Sequence, residues 1–162
     1  MPDSRNDALG AALGRIPSGL FVLALRDARG APAGMLLSWV QQASFEPPLV
    51  TFALGRNRPL RELLDREGRF SISILAKEDR GLAGVFARTA EPEGKGPFDQ
   101  IAVASTRSGL PYLAGALAYV EGRVRQRVPS GDHVLYFGEI EAGAALRDAE
   151  PAVHVRRSGF QY

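Results

Sequence analysis

The chain contains no cysteine. That single absence excludes disulfide scaffolds, thiolate-held iron–sulfur clusters, cysteine zinc sites and thiol nucleophiles. Lysine is almost as scarce, with Lys77 and Lys95 the two lysines among 20 basic residues. With a net charge of only +2, the arginine excess reads as compositional background more than as a surface built for anions. The two histidines, His133 and His154, lie far apart with no carboxylate pattern beyond Asp132, so no metal site is expected. No stretch approaches the roughly 20 apolar residues of a membrane helix. The opening Met-Pro-Asp-Ser-Arg-Asn-Asp has no secretory character, which leaves a cytoplasmic protein as the expectation. No Walker loop and no Gly-x-Gly-x-x-Gly opening a helix is present. Counting alone leaves a Ser-His-Asp triad open, but there is no Gly-x-Ser-x-Gly elbow.

What is present suits a folded domain. A chain of 162 residues predicts one domain over 1–162, able to bury about 70% of its extended surface. Its 45% hydrophobic and 23% charged residues are the balance of a packed protein. Arg123, Arg125 and Arg127 alternate with Val124 and Gln126, the outer face of a strand and not a nucleic-acid platform.

Helical spacing of Ala8, Leu9, Ala12 and Leu13 predicts a first helix over 3–13. Residues 19–25 and 33–40 read as a hairpin around the turn Asp27-Ala28-Arg29-Gly30. Pro47-Pro48 then breaks the chain, and 49–54 is a third strand. Pro59 opens a short helix that Gly68 closes. Residues 70–75 alternate apolar side chains with serine, predicting a half-buried strand. A second short helix is expected over 78–87, a long loop over 89–99 and a weak strand over 101–105. Residues 117–128 and 134–141 form a hairpin about Pro129-Ser130-Gly131-Asp132, and 152–156 is a last strand. Short strands joined by tight turns predict a mostly antiparallel sheet, and a barrel is the usual way to remove its edges. Composition alone thus reaches a small α+β or all-β barrel. With so few reactive side chains, such a protein either borrows its chemistry from a cofactor or is not an enzyme.

Three segments carry a resemblance. The first is Ile16-Pro17-Ser18-Gly19 followed by residues 34–50, Gly-Met-Leu-Leu-Ser-Trp-Val-Gln-Gln-Ala-Ser-Phe-Glu-Pro-Pro-Leu-Val. The second is Gly131-Asp132-His133 running into Tyr136-Phe137-Gly138-Glu139-Ile140. The third is the short helix before Phe70 with the strand to Leu75. Together they resemble the flavin reductase-like family of FMN-binding split barrels over about residues 10–160. The resemblance implies a mainly β, antiparallel split barrel with short inserted helices. It also implies an NAD(P)H:flavin oxidoreductase using FMN (or FAD) with NADH or NADPH, as a homodimer that can serve a monooxygenase. The alternative within the same fold is a flavin-binding electron carrier or store without nicotinamide turnover.

By that resemblance Leu36, Leu37, Ser38 and Trp39 lie along the flavin ring, with Gln42 and Ser44 nearer the ribityl phosphate. Arg56, Arg58 and Lys95 are the cations offered to the phosphate, and Phe86 covers part of the site. His133, as the catalytic candidate, sits at the nicotinamide or the flavin rim. Each has a plainer competitor: Trp39 as core, Arg56 and Arg58 as solvated loop charges, His133 as a surface histidine bonded to Asp132. His154 reads as structural. Leu37 and Glu46 stand where the family commonly has a small or hydroxylated residue and an aspartate.

Overall fold

A computed structural model describes residues 4–87 and 96–161. Helix α1, Ser4–Gly14, leads into strand β1, Phe21–Arg26. Asp27 turns the chain by accepting the amides of Arg29 and Ala31 on its carboxylate, and Gly30 adopts φ 79°, where a glycine is cheapest. Strand β2, Pro32–Leu37, returns antiparallel to β1. Strands β3, Val40–Ser44, and β4, Leu49–Gly55, form the next hairpin, with a cis peptide at Glu46–Pro47. Helix α2, Pro59–Glu67, ends on Gly68 in the left-handed region. Strand β5, Arg69–Ile74, a 3-10 turn at Lys77–Asp79 and helix α3, Arg80–Ala87, follow. A small hairpin of β6, Val103–Ser105, and β7, Pro111–Leu113, precedes the long hairpin of β8, Ala118–Ser130, and β9, His133–Ala145.

The main sheet has the order β2-β1-β5-β8-β9-β4-β3, antiparallel throughout. Its two edge strands are consecutive in the chain. Only Ser38 and Trp39 separate the end of β2 from the start of β3, and three Cα steps reach at most about 11 Å. The edges therefore face each other and the sheet curls into a split barrel. Trp39 stitches the seam, its carbonyl accepting the Ala53 amide of β4 at 3.2 Å. The sequence reading of one strand over 33–40 is corrected here: the ladder stops at Leu37 because Ser38 and Trp39 carry the chain across to the opposite edge.

Inside the barrel Leu23, Leu25, Phe52, Leu54, Phe70, Ile72 and Tyr136 are buried. Phe52 stacks on Tyr136 at 5.3 Å and meets Phe70 edge-on at 5.0 Å. Burying each such side chain contributes about 1.5–3 kcal/mol. Gly138 makes this possible, since a Cβ there would stand 2.3 Å from Phe70 Cζ. On the outer face Val22, Ala24, Leu75 and Leu113 join Phe86 and Phe98 in a second core. Strand β1 is covered on both sides, which explains its unbroken apolar run.

Strand β5 departs from expectation. Ser71 and Ser73 are fully buried, because the β6–β7 hairpin lies over them. The Ser71 hydroxyl donates to the Ala24 and Pro111 carbonyls, and Ser73 Oγ accepts the Leu113 amide at 3.0 Å. Polar side chains thus serve a buried face by satisfying backbone groups there. The expected last strand over 152–156 is also corrected. It is an extended segment held by isolated bridges, Ser18 with His154 and Ala76 with Pro151. The arginine stripe does lie outward, and carboxylates neutralise it: Arg123 pairs with Glu141, Arg125 with Glu139 and Arg127 with Asp65. No helix among the described residues is long and apolar enough to cross a membrane.

Candidate functional site

The seam that closes the barrel also shapes the site. A cavity of about 760 Å³ opens beside it, within the range of small-molecule and cofactor sites. Leu36, Leu37, Ser38 and Trp39 line it from the end of β2, Arg58 from the start of α2 and Phe86 from α3. Its walls are mostly apolar. The polar residues lining it, among the described residues, are Ser38, Trp39, Arg58 and His154.

Local structure explains the placements. Gly34 lets Phe98 close on β2, since a Cβ would lie 2.7 Å from its ring, and Phe86 packs edge-on against Phe98 at 5.0 Å. Pro59, at the first position of α2, lacks an amide, and no side chain caps that helix. Its first turn therefore leaves the Leu60 amide beside Arg58, while the Arg61 amide donates to the Arg58 carbonyl at 3.0 Å.

Across Trp39 lies a second cavity of about 810 Å³, lined by Ser18, Gln41, Thr51, Asp132 and His133 among others. Ser38, Trp39 and Ala53 belong to both, so Trp39 is the partition. Its indole is flanked by two basic side chains. The His133 ring centroid is 4.8 Å away at a 42° tilt, and the Arg156 guanidinium stands 5.0 Å from the ring centroid. His133 is only 9% exposed, so it is a buried wall residue and not a surface histidine. Its Nδ1 lies 2.6 Å from Asp132 Oδ1. That bond, with help from Arg56, holds the Asp132 carboxyl below the usual carboxylate range.

The remaining sequence candidates are not gathered there. Gln42 and Ser44 continue along β3 away from the seam, about 10 and 17 Å beyond Trp39 at 3.3 Å per residue, and lie outside both cavities. Arg56 is exposed, its backbone amide donating to the Asp132 carbonyl at 3.0 Å. Lys95 falls outside the described residues. Conversely, Phe98 and Leu60 line the first cavity without having been singled out, and so does His154, which the sequence reading made structural. The alternation of 152–156 was the missed signal for His154. Val153 and Val155 face outward, while Ala152, His154 and Arg156 turn in.

The family model for the flavin reductase like domain matches residues 13–161. The chain belongs to that family. An NADH-dependent FMN reductase of Streptomyces nodosus subsp. asukaensis is 32% identical over 146 residues, 90% of this chain and 78% of the relative. A diflavin flavoprotein of Synechocystis is 36% identical over 163 residues, spanning all of this chain but 27% of that protein. This flavin reductase-like chain thus covers about a quarter of the diflavin relatives and most of the reductase. The flavin reductase of the styrene monooxygenase from Pseudomonas putida superposes with a TM-score of 0.79 at 26% identity, over 90% of this chain and 91% of that one.

Proposed function

We propose that this flavin reductase-like domain is an NAD(P)H:flavin oxidoreductase that binds FMN, or FAD, at the seam cavity. The observation that carries the proposal is the cavity itself, an apolar slot bounded by Leu36 to Trp39 with one cation, Arg58, beside the uncapped start of α2. Apolar walls suit an aromatic ring system, and the cation at the start of α2 suits its phosphate. When bound, a flavin supplies the redox chemistry by accepting a hydride from the reduced nicotinamide. The chain's own residues position and shield. Phe86 and Phe98 exclude water, Arg58 holds the phosphate bidentately, and Trp39 presents a ring face with one N–H donor. His133, packed behind Trp39 with ring centroids 4.8 Å apart, is the candidate for positioning that indole at the flavin rim. Arg56 and Lys95 remain candidate contacts for the phosphate, whereas Gln42 and Ser44 lie outside the seam cavity.

The name of the Pseudomonas reductase supports a monooxygenase as the recipient of reduced flavin. A homodimer is part of the reading. Phe45 is 89% and Ile16 62% exposed, with Val153 and Val155 beside them in exposure, apolar surface of the kind a partner copy covers. A cytoplasmic setting follows from the reduced nicotinamide it would consume. The quarter-length match to diflavin flavoproteins favours a second reading, a flavin-binding electron carrier or store within a larger assembly. Spectral titration with FMN, followed by NADH or NADPH, separates them. Bleaching of bound flavin supports the reductase, binding without bleaching supports the carrier, and no binding overturns both.

A further inference from the structure

We propose that His154 contacts the polar edge of the flavin ring in the seam cavity, accepting its ring N–H; this inference rests on the flavin reading above. The histidine belongs to none of the three resembling motifs and enters the cavity from the extended segment that follows β9. The backbone of that segment is fixed without help from the imidazole. The Ser18 amide donates to the His154 carbonyl at 2.9 Å, and the His154 amide donates to the Ser18 carbonyl at 2.7 Å. Arg80 of α3 adds a bond to the Val153 carbonyl at 2.8 Å. Ala152 is buried in the outer core and Arg156 lies over Trp39, so the inward alternation aims His154 at the cavity between them.

The donor set then decides its role. The pyrimidine edge of an isoalloxazine alternates carbonyl acceptors with one ring N–H, so it needs an acceptor as well as donors. Arg58 and the Trp39 indole only donate. Among the described residues lining the cavity, Ser38 and His154 carry the nitrogen or oxygen side-chain acceptors, and Ser38 is 8% exposed. Among the described residues the His154 imidazole has no hydrogen-bond partner of its own, a half-buried polar group aimed at the ligand. The charges that act on it are both cationic, Arg156 from its own segment and Arg80 from α3. Burial first, and then these cations, push its pKa down and favour the neutral imidazole, the form that offers one acceptor and one donor.

Dissociation constants for FMN and riboflavin, measured by quenching of flavin fluorescence, test the assignment. Wild type should bind both. His154→Ala should weaken both by about tenfold, the effect of one hydrogen bond lost in a desolvated site. His154→Gln, which keeps an acceptor and a donor, should recover most of the loss. Arg58→Gln should weaken FMN and spare riboflavin, marking the opposite end of the ligand. Wild-type affinity in His154→Ala overturns the role while leaving the flavin reading intact. So does a loss confined to FMN, or an equal loss in the Ala and Gln variants. Failure of wild type to bind either flavin overturns the flavin reading and this role together.

Discussion

Trp39 borders two cavities together with Ser38 and Ala53, and its ring stands between two basic side chains. Trp39→Ala should weaken FMN binding by roughly tenfold, the order of one lost aromatic contact with its shielding. Flavin titration checks this, and wild-type affinity would show that the ring does not border the ligand. The histidine on the other wall gives a pH signature. The folded pKa of His154 lies below its ordinary 6.5 because burial opposes the charge, reinforced by Arg156 and Arg80. The unfolded chain therefore takes up its proton first. Stability is fully present above 6.5 and is lost as pH falls through the lowered folded value. Denaturant midpoints measured downward from neutral pH should fall less in His154→Gln than in wild type. An identical slope in the two proteins would contradict the shift.

At the scale of elements, helix α2 is tied to the barrel through Asp65. The buried Tyr136 hydroxyl donates to Asp65 at 2.8 Å, and Arg61 and Arg127 reach the same carboxylate at 2.9 Å. Burial, reinforced by that carboxylate, pushes the phenol well above its usual range, so Tyr136 stays a donor. Tyr136→Phe should cost about 1 kcal/mol, since Asp65 keeps its arginines and is not orphaned. Asp65→Ala should cost more, because it strands a buried hydroxyl and releases two arginines. Gly138→Ala should cost about 1–3 kcal/mol through its clash with Phe70. Urea denaturation reads all three.

The same elements show what the sequence disclosed. Turns and breakers were legible: Gly30, Pro59, Gly68 and Gly131 each punctuate the chain where local backbone chemistry demands it. The β2–β3 break at Ser38 was not, because nothing in a run of apolar and amide residues tells a continuing strand from one that changes sheet edge. Ser71 and Ser73 looked solvent-facing for a related reason. Alternation reports polarity, and only the tertiary position of the β6–β7 hairpin shows that their hydroxyls are spent on buried carbonyl and amide groups. Among the residues lining the seam cavity, Leu36 to Trp39 were singled out from a motif. His154 was missed because its segment is tied down by single bridges and has no ladder to mark it.

For the whole molecule, an absence noted at the outset organises the chemistry. Without cysteine the chain offers no thiol-based redox centre, while the barrel seam holds a cavity of cofactor size. The arginine excess divides between structure and site. Arg123, Arg125 and Arg127 are consumed by carboxylates, whereas Arg58 lines the cavity and Arg156 braces Trp39. The exposed apolar residues predict a homodimer, which light scattering during size exclusion would report as twice the chain mass; a monomer at micromolar concentration would contradict it. On the proposed function, this cavity brings flavin and nicotinamide together for turnover. The most direct test of that turnover is steady-state oxidation of NADH and NADPH by the purified protein with FMN. The predicted result is oxidation of at least one nicotinamide that saturates with FMN, far exceeds the rate in free FMN, and falls in Trp39→Ala. Oxidation no faster than free FMN with both nicotinamides would contradict it.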